Sequence, residues 1–199
     1  MTQAQHPYPV VVIGASAGGV EALLVLVAGL PDDLPAAVVV VLHLAPGGPS
    51  VLPQILARAS SLPVVAATDG VRTSPGTVYV GPPSHHLVVA GVTLHLTDGP
   101  PKDHHRPSID LMFSSAAATL GPAVIGVVLS GALRDGADGL AAITAAGGMA
   151  VVQDPASAAY PDMPRNALVA VPSARQLPIE QIAAEIVRLC SGTAVAPPG

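Results

Sequence analysis

The stretch PVVVIGASAGGVEAL, residues 9–23, constrains the fold more than any other part of this chain. An apolar run of strand length leads through a glycine-rich loop into a helical pattern. A buried strand followed at once by a helix is the repeating unit of open α/β sheets. Two chemistries use such a turn: binding of a phosphate at the helix N-terminus, and exposure of a nucleophilic serine.

The same alternation continues along the chain. The predicted strands cover residues 10–13, 37–42, 64–66, 77–80, 87–96, 124–129, 149–152 and 168–171, and the predicted helices cover 19–29, 50–60, 108–120, 137–146 and 179–189. Several strands are continuous apolar runs, which is typical of strands covered on both faces. We therefore predict an α/β fold with a doubly wound, mostly parallel sheet and helices on both faces. Two runs flank Ala90-Gly91 with no room for a helix, which indicates an inserted antiparallel β-hairpin.

Composition limits the class of protein. The chain has 199 residues, of which half are hydrophobic, and we expect one domain over residues 10–192 between tails at 1–9 and 193–199. Its net charge of −5 and eight scattered basic residues argue against nucleic-acid binding. The longest apolar candidate, residues 20–30, has about half the length of a membrane span. With no signal-peptide pattern and a single cysteine, Cys190, which we expect to be buried and inert, the chain suits the cytoplasm.

The loop Gly14-Ala15-Ser16-Ala17-Gly18 permits three interpretations. A dinucleotide fingerprint is disfavoured because a serine replaces its middle glycine, and no Gly-Lys-Ser/Thr motif follows. The G-x-S-x-G pattern matches a nucleophile elbow, in which flanking glycines permit a sharp turn. Its position near residue 15 leaves no room for the upstream strands of an α/β-hydrolase, so a nucleophile here implies another fold. Ser16 could instead cap the following helix through the Gly18 or Gly19 amide.

A serine nucleophile needs a histidine as base and a carboxylate that orients the histidine. His43 ends the second predicted strand, and Asp135 lies a few residues beyond the strand at 124–129. The carboxyl ends of parallel strands meet at one edge of a sheet, so Ser16, His43 and Asp135 are expected close together. A purely structural role for His43 stays open. Asp138 is the better candidate for a helix cap.

The remaining histidines do not suggest a metal site. His85-His86 and His104-His105 are adjacent pairs in proline-rich loops, and neighbouring side chains point apart in extended chain. His95 is expected to have a structural role on the hairpin. With no cysteine or glutamate cluster near these pairs, we expect neither a metal nor a cofactor.

Longer motifs carry a family resemblance. In order along the chain they are IGASAGGVEAL, VVLHLAP, ATDGVRTSPGTVYVGPPSHHLVV, RPSIDLMFSSAA, SGALRDGADGL and AAGGMAVVQDPASAAYPDMPRNAL, followed by a closing helix. This ordered set spans nearly all of residues 10–190 and resembles the catalytic domain of the chemotaxis protein-glutamate methylesterases, the CheB family.

The resemblance implies a cytoplasmic serine hydrolase in which Ser16 is the nucleophile, His43 the general base and then acid, and Asp135 the orienting carboxylate. The implied partner is a methyl-accepting chemoreceptor or a similar methylated helical protein. Glutamate γ-methyl esters on its cytoplasmic helices are the implied substrate, and family members also deamidate glutamines there. The alternatives are a receptor-binding module with weak catalysis, or a hydrolase of another carboxylic ester.

Three features depart from the family pattern. Residues 131–133 read Gly-Ala-Leu where the family usually has Gly-Met-Gly, and the loop at 46–49, Pro-Gly-Gly-Pro, lacks the usual aromatic residue. The predicted domain begins about ten residues into the sequence, so we expect a stand-alone member without the receiver domain that usually precedes it.

Overall fold

The computed structural model describes residues 8–43, 50–102 and 105–192. The strands are β1 (Val10–Ala15), β2 (Ala37–Leu42), β3 (Val64–Ala66), β4 (Val71–Arg72), β5 (Thr77–Val80), β6 (His86–Ala90), β7 (Thr93–Thr97), β8 (Val124–Val128), β9 (Met149–Gln153) and β10 (Arg175–Leu177). The α-helices are α1 (Gly19–Ala28), α2 (Leu52–Ala57), α3 (Ile109–Leu120), α4 (Ala137–Ala145), α5 (Asp162–Ala170) and α6 (Ile179–Gly192).

Seven strands form one sheet in the order β10-β9-β8-β1-β2-β5-β3, and all of their pairings are parallel. Every residue of β1, β2 and β8 is buried, which explains why these strands are continuous apolar runs. A separate three-stranded antiparallel sheet has the order β4-β7-β6, and β6 and β7 form its hairpin. The predicted α/β class and the inserted hairpin are both confirmed.

Each face of the large sheet has its own hydrophobic core. Residues of α1, α2 and α6 pack on one face, and residues of α3, α4, α5 and the small sheet pack on the other. Alternate residues of each central strand contribute to opposite cores, as the period of two along a strand requires. No helix within the described ranges is long and apolar enough to cross a membrane.

The order in which successive strands are added to the sheet reverses at β1. From β1 it first builds the sheet outward through β2 and then returns to β8 on the other side of β1. In open α/β sheets, the carboxyl ends of the strands at such a switch point form a crevice where ligands bind and reactions occur. The topology therefore directs attention to the end of β1 and its two neighbours.

One predicted strand is wrong. Residues 168–170 are the end of α5, and the last strand is β10. Met163, Ala167 and Val171 are buried at intervals of four residues, whereas Val169 is 79% exposed, so the run has the period of a helix rather than a strand. The edge strand β10 is mostly exposed and has no apolar run that could indicate it.

Candidate active site

Ser16 and His43 directly follow adjacent strands. The β1–β2 ladder continues past the strand ends, since the His43 amide donates to the Ala15 carbonyl at 3.0 Å. On the other side of β1, the Ser16 amide donates to the Ser130 carbonyl at 3.0 Å. These bonds hold the backbones of both residues at the carboxyl edge of the sheet.

The strand register places the two side chains on the same face. The residues of β1 and β2 that pack in the core beside α3 are Val10, Val12, Val39 and Val41. Because side chains alternate along a strand and the ladder extends to Ser16 and His43, both continue on the α3 side.

His43 and Asp135 are joined by a hydrogen bond of 2.8 Å between Nε2 and Oδ2. His43 directly follows β2, and Asp135 lies in the loop between β8 and α4; β2 and β8 pair with opposite edges of β1. The bond thus joins the loops that follow the two strands on either side of β1, the strand that leads into Ser16. The His43 side chain is 10% exposed and that of Asp135 is 2% exposed.

Asp135 also binds the N-terminus of α3. Its Oδ1 accepts from the Ser108 hydroxyl at 3.2 Å and the Asp110 amide at 2.9 Å, and its Oδ2 accepts from the Ile109 amide at 2.8 Å. Burial by itself raises the pKa of Asp135, but the hydrogen bonds from His43, Asp110 and Ile109 outweigh it and lower the pKa to about 2. Asp135 is therefore an anion at neutral pH.

A second buried carboxylate forms the reciprocal contact. Asp110, in the first turn of α3, accepts hydrogen bonds from the Gly136 and Gly139 amides at the N-terminus of α4, at 3.0 and 2.6 Å. Asp135 thus caps the helix that carries Asp110, and Asp110 caps the helix that follows Asp135. Asp138 lies in the first turn of α4, as predicted, but it does not cap the helix: its side chain is exposed and pairs with Arg134 at 2.7 Å.

The capping interpretation of Ser16 is also wrong. The N-cap of α1 is Gly18, with a φ of +68°, and no side chain caps the N-terminus of this helix in the described part of the chain. Ser16 contributes its carbonyl, which accepts from the Gly19 amide at 2.9 Å. Only glycine adopts this left-handed conformation without strain, so Gly18 makes the turn that leads into the helix.

Gly14 has a different role from the turn-forming one that the pentapeptide suggested. It lies inside β1, and a Cβ at this position would overlap the Ile109 side chain. The missing side chain lets the first turn of α3 pack directly on β1. That packing brings the Ile109 amide to Asp135 at 2.8 Å.

Ser130 and Gln153 secure the serine loop, although sequence reasoning did not select them. The Ser130 hydroxyl donates to the Ala17 carbonyl at 2.8 Å and accepts from the Tyr160 amide at 3.0 Å. The Gln153 side chain accepts from the Ser130 amide at 2.8 Å. Ser130 and Gln153 are almost completely buried. Their signal was their position, since each lies at the carboxyl end of a central strand.

His43, His105 and Asp135 are the one group of possible metal donors in the described ranges, with donor atoms within 4.8 Å of one another. The two imidazole rings are stacked, with centroids 4.0 Å apart and planes 8° from parallel. Lone pairs of a histidine lie in the ring plane, so those of parallel stacked rings do not converge on one ion. This arrangement does not form a metal site.

His86 does not lie in a loop as predicted. It begins β6 and is 2% exposed, with Nε2 bonded to the Pro100 carbonyl at 3.0 Å. Its Nδ1 accepts from the Ser108 amide at 3.2 Å, which supports the segment that precedes α3. Cys190 is buried in α6, and burial raises the pKa of its thiol to about 11, which disfavours the reactive thiolate.

Of the departures from the family pattern, the segment 131–133 can be located. Leu133 has a φ of +65° and is 63% exposed, and its carbonyl accepts from the Asn166 amide group at 2.8 Å. A leucine is strained in this left-handed conformation, which glycine adopts readily. The departure at residues 46–49 lies outside the described residues.

The low pKa of Asp135 predicts a specific acid sensitivity. A carboxylate whose folded pKa is lowered from 3.8 to about 2 stabilises the fold above its unfolded pKa, and this stabilisation is lost as the pH falls through its folded pKa. We expect Asp135 to contribute about 2 kcal/mol, lost between about pH 4 and pH 2. Urea unfolding of the wild type and Asp135→Asn across this range measures it. The difference in unfolding free energy between them should shrink by that amount, and a constant difference contradicts the prediction.

Comparison with known proteins identifies the family to which the chain belongs. The family model described as CheB methylesterase matches residues 11–186. A protein-glutamate methylesterase/protein-glutamine glutaminase of Anaeromyxobacter dehalogenans is 43% identical over 87% of this chain and 51% of its own length. The protein-glutamate methylesterase FrzG of Myxococcus xanthus is 37% identical over 92% of this chain and 55% of its own length. The chain thus spans about half the length of the curated relatives it matches.

A solved structure matches the fold over almost its full length. The crystal structure of the Thermotoga maritima CheB methylesterase catalytic domain superposes with a TM-score of 0.87 at 30% sequence identity, covering 92% of this chain and 98% of that one. The family model matches most of the chain, and this chain covers almost all of the Thermotoga domain at 30% identity. The chain therefore belongs to the CheB methylesterase family.

Proposed function

We propose that this protein is a serine hydrolase that removes methyl groups from glutamate γ-methyl esters on the cytoplasmic helices of a chemoreceptor. The names of its relatives support the reaction, since both curated relatives are protein-glutamate methylesterases. The observation that carries the proposal is the His43–Asp135 hydrogen bond, which joins the loops after the two strands that flank β1, the strand that leads into Ser16. Acting on those helices places the protein in the cytoplasm.

The hydrogen bond to Asp135 supports a proposal for which nitrogen of His43 acts as the base. Ionised Asp135 can only accept hydrogen bonds, so Nε2 of His43 carries the proton between them. The neutral ring then has its lone pair on Nδ1. This atom is buried and has no hydrogen-bond partner in the described part of the chain. Nδ1 is therefore the atom available to take a proton from the Ser16 hydroxyl.

The reaction proceeds in two halves. The Ser16 oxygen attacks the ester carbonyl while Nδ1 of His43 takes its proton, and the tetrahedral intermediate collapses as that proton passes to the departing methanol. A water molecule then attacks the acyl-enzyme, again losing its proton to His43, and releases glutamate and the Ser16 hydroxyl. Asp135 stays ionised and stabilises the imidazolium that forms in each half.

The N-terminus of α1 supplies donors for the oxyanion. The first intrahelical hydrogen bond of this region runs from Ala22 to Gly18, so the amides between Ala17 and Glu21 include groups that a helix does not use itself. The positive end of the helix dipole also faces the loop. Both features favour negative charge on an oxygen held beside Ser16.

Deamidation of receptor glutamines uses the same groups. A glutamine side chain differs from the methyl ester only in the leaving group, which is ammonia instead of methanol. The acyl-enzyme and its hydrolysis are identical. We include this second activity in the proposal because the name of the Anaeromyxobacter relative joins both reactions.

Methanol release from a methylated chemoreceptor fragment tests the proposal. We expect the protein to release methanol from methylated helices and none from the unmethylated fragment, and to hydrolyse small esters more slowly at equal concentration. Hydrolysis of small esters without receptor demethylation would indicate a different ester substrate. Binding to receptor helices without methanol release would indicate a binding module, and either result contradicts the proposed function.

A further inference from the structure

His105 makes a contact with His43 that the reaction described above does not use. The two rings stack with centroids 4.0 Å apart and planes 8° from parallel. His105 comes from the segment before α3, far along the chain from the end of β2. The contact therefore depends on the tertiary structure.

The backbone around His105 is anchored on several sides. Its N–H donates to the Lys102 carbonyl at 2.9 Å, and its carbonyl accepts from the Lys102 amide at 3.1 Å. The guanidinium of the next residue, Arg106, also donates from Nη1 to the carbonyls of Asp98 and Gly99 at 3.3 and 3.1 Å. A ring carried by such a segment has a defined position and can act as a support.

The stack restrains a motion of His43 that Asp135 leaves free. The hydrogen bond to Asp135 holds Nε2 and the bond to Cβ holds Cγ, but the ring plane can still tilt about the line that joins these two atoms. Tilting would move Nδ1, which lies beside that line, out of the plane in which it must meet the serine proton. A flat ring against one face of His43 opposes this tilt, and it also keeps water from that face.

We propose that His105 is a positioning residue for His43: its stacked ring sets the plane of the imidazole so that Nδ1 stays aimed at the reacting proton. This inference rests on the proposed function, in which His43 is the general base. His105 transfers no proton in it. A flat aromatic ring without nitrogen atoms should therefore serve almost as well as histidine.

The test compares His105→Ala with His105→Phe. We expect His105→Ala to lower kcat for ester hydrolysis roughly three- to tenfold, the range of a lost aromatic pair, with KM changed by less than about twofold. His105→Phe restores the stack and should recover most of kcat. His95→Ala is the matched control, because His95 is half-exposed and pairs with Asp69 on the small sheet. It should leave kcat unchanged.

An NMR measurement reads the stack without relying on activity. Protons of a ring stacked on another ring are shielded, so the His43 ring protons should move downfield in His105→Ala and stay upfield in His105→Phe. Wild-type kcat in His105→Ala, the same loss in both variants, or unshifted His43 signals in His105→Ala would overturn the inference. A wild type that hydrolyses no ester contradicts the proposed function instead, and the NMR comparison still decides whether the stack exists.

Discussion

Ser16→Ala is expected to reduce methanol release from methylated receptor helices by about 10⁴-fold or more, through kcat. The substitution removes the oxygen that forms the acyl-enzyme, and no neighbouring group can replace it in the mechanism proposed here. Ser16 takes part in the described hydrogen bonds through its backbone, and alanine keeps those bonds. The free energy of unfolding should therefore stay within about 0.5 kcal/mol of the wild type.

Ser173→Ala is the matched control for this experiment, because Ser173 is exposed in the loop before β10. It should keep wild-type turnover. A fluorophosphonate probe should label the wild type and Ser173→Ala at Ser16, as mapped by mass spectrometry, and should not label Ser16→Ala. Undiminished methanol release by Ser16→Ala would show that Ser16 is not the nucleophile.

Asp135→Asn is expected to lower kcat by roughly 10³- to 10⁴-fold and to destabilise the fold by about 2 kcal/mol. Both oxygens of Asp135 accept hydrogen bonds, Oδ1 from Ser108 and Asp110, and Oδ2 from Ile109 and His43. An asparagine NH₂ must therefore face at least one backbone N–H in either orientation. If it faces His43, the ring must accept at Nε2, which puts the proton on Nδ1 and removes the base.

Asp138→Asn provides the control for Asp135→Asn, since it makes the same chemical change three residues away. The Asp138 side chain is 65% exposed and pairs only with Arg134 among the described ion pairs. Turnover should stay within about twofold of the wild type and stability within about 0.5 kcal/mol, because exposed ion pairs contribute little. Circular dichroism and urea unfolding separate lost catalysis from lost folding in Asp135→Asn. A folded Asp135→Asn with wild-type kcat would contradict the role of Asp135.

The sequence predicted much of the sheet, because its central strands are buried on both faces. Such strands are continuous apolar runs, and β1, β2 and β8 are recognisable for that reason. The sequence prediction was wrong at the β10 edge of the sheet, where β10 is mostly exposed and the apolar run at the end of α5 was assigned as a strand. Only part of the surface of an edge strand is buried, so its amino-acid composition is close to that of a loop.

The sequence also favoured Asp135 over Asp138 as the carboxylate partner of His43, but it showed only part of the reason. Asp135 was preferred because it lies in the loop after a central strand. Its contacts with α3 were not visible, because a carboxylate that caps a helix from elsewhere in the chain has no local sequence pattern. The same holds for Asp110, which binds the N-terminus of α4 from 26 and 29 residues away.

The sequence alone determined the fold class, the strand–loop–helix unit that carries Ser16, and the family resemblance, because each depends on local order and periodicity along the chain. Only the tertiary structure decided how the imidazole of His43 is held. Asp135 binds it from the loop between β8 and α4, and His105 stacks on its face from the segment before α3. Contacts between residues so far apart in the sequence, 92 positions for His43 and Asp135, depend on how strands and helices pack. That packing is a property of the folded molecule, and it leaves Nδ1 of His43 buried without a hydrogen-bond partner among the described residues.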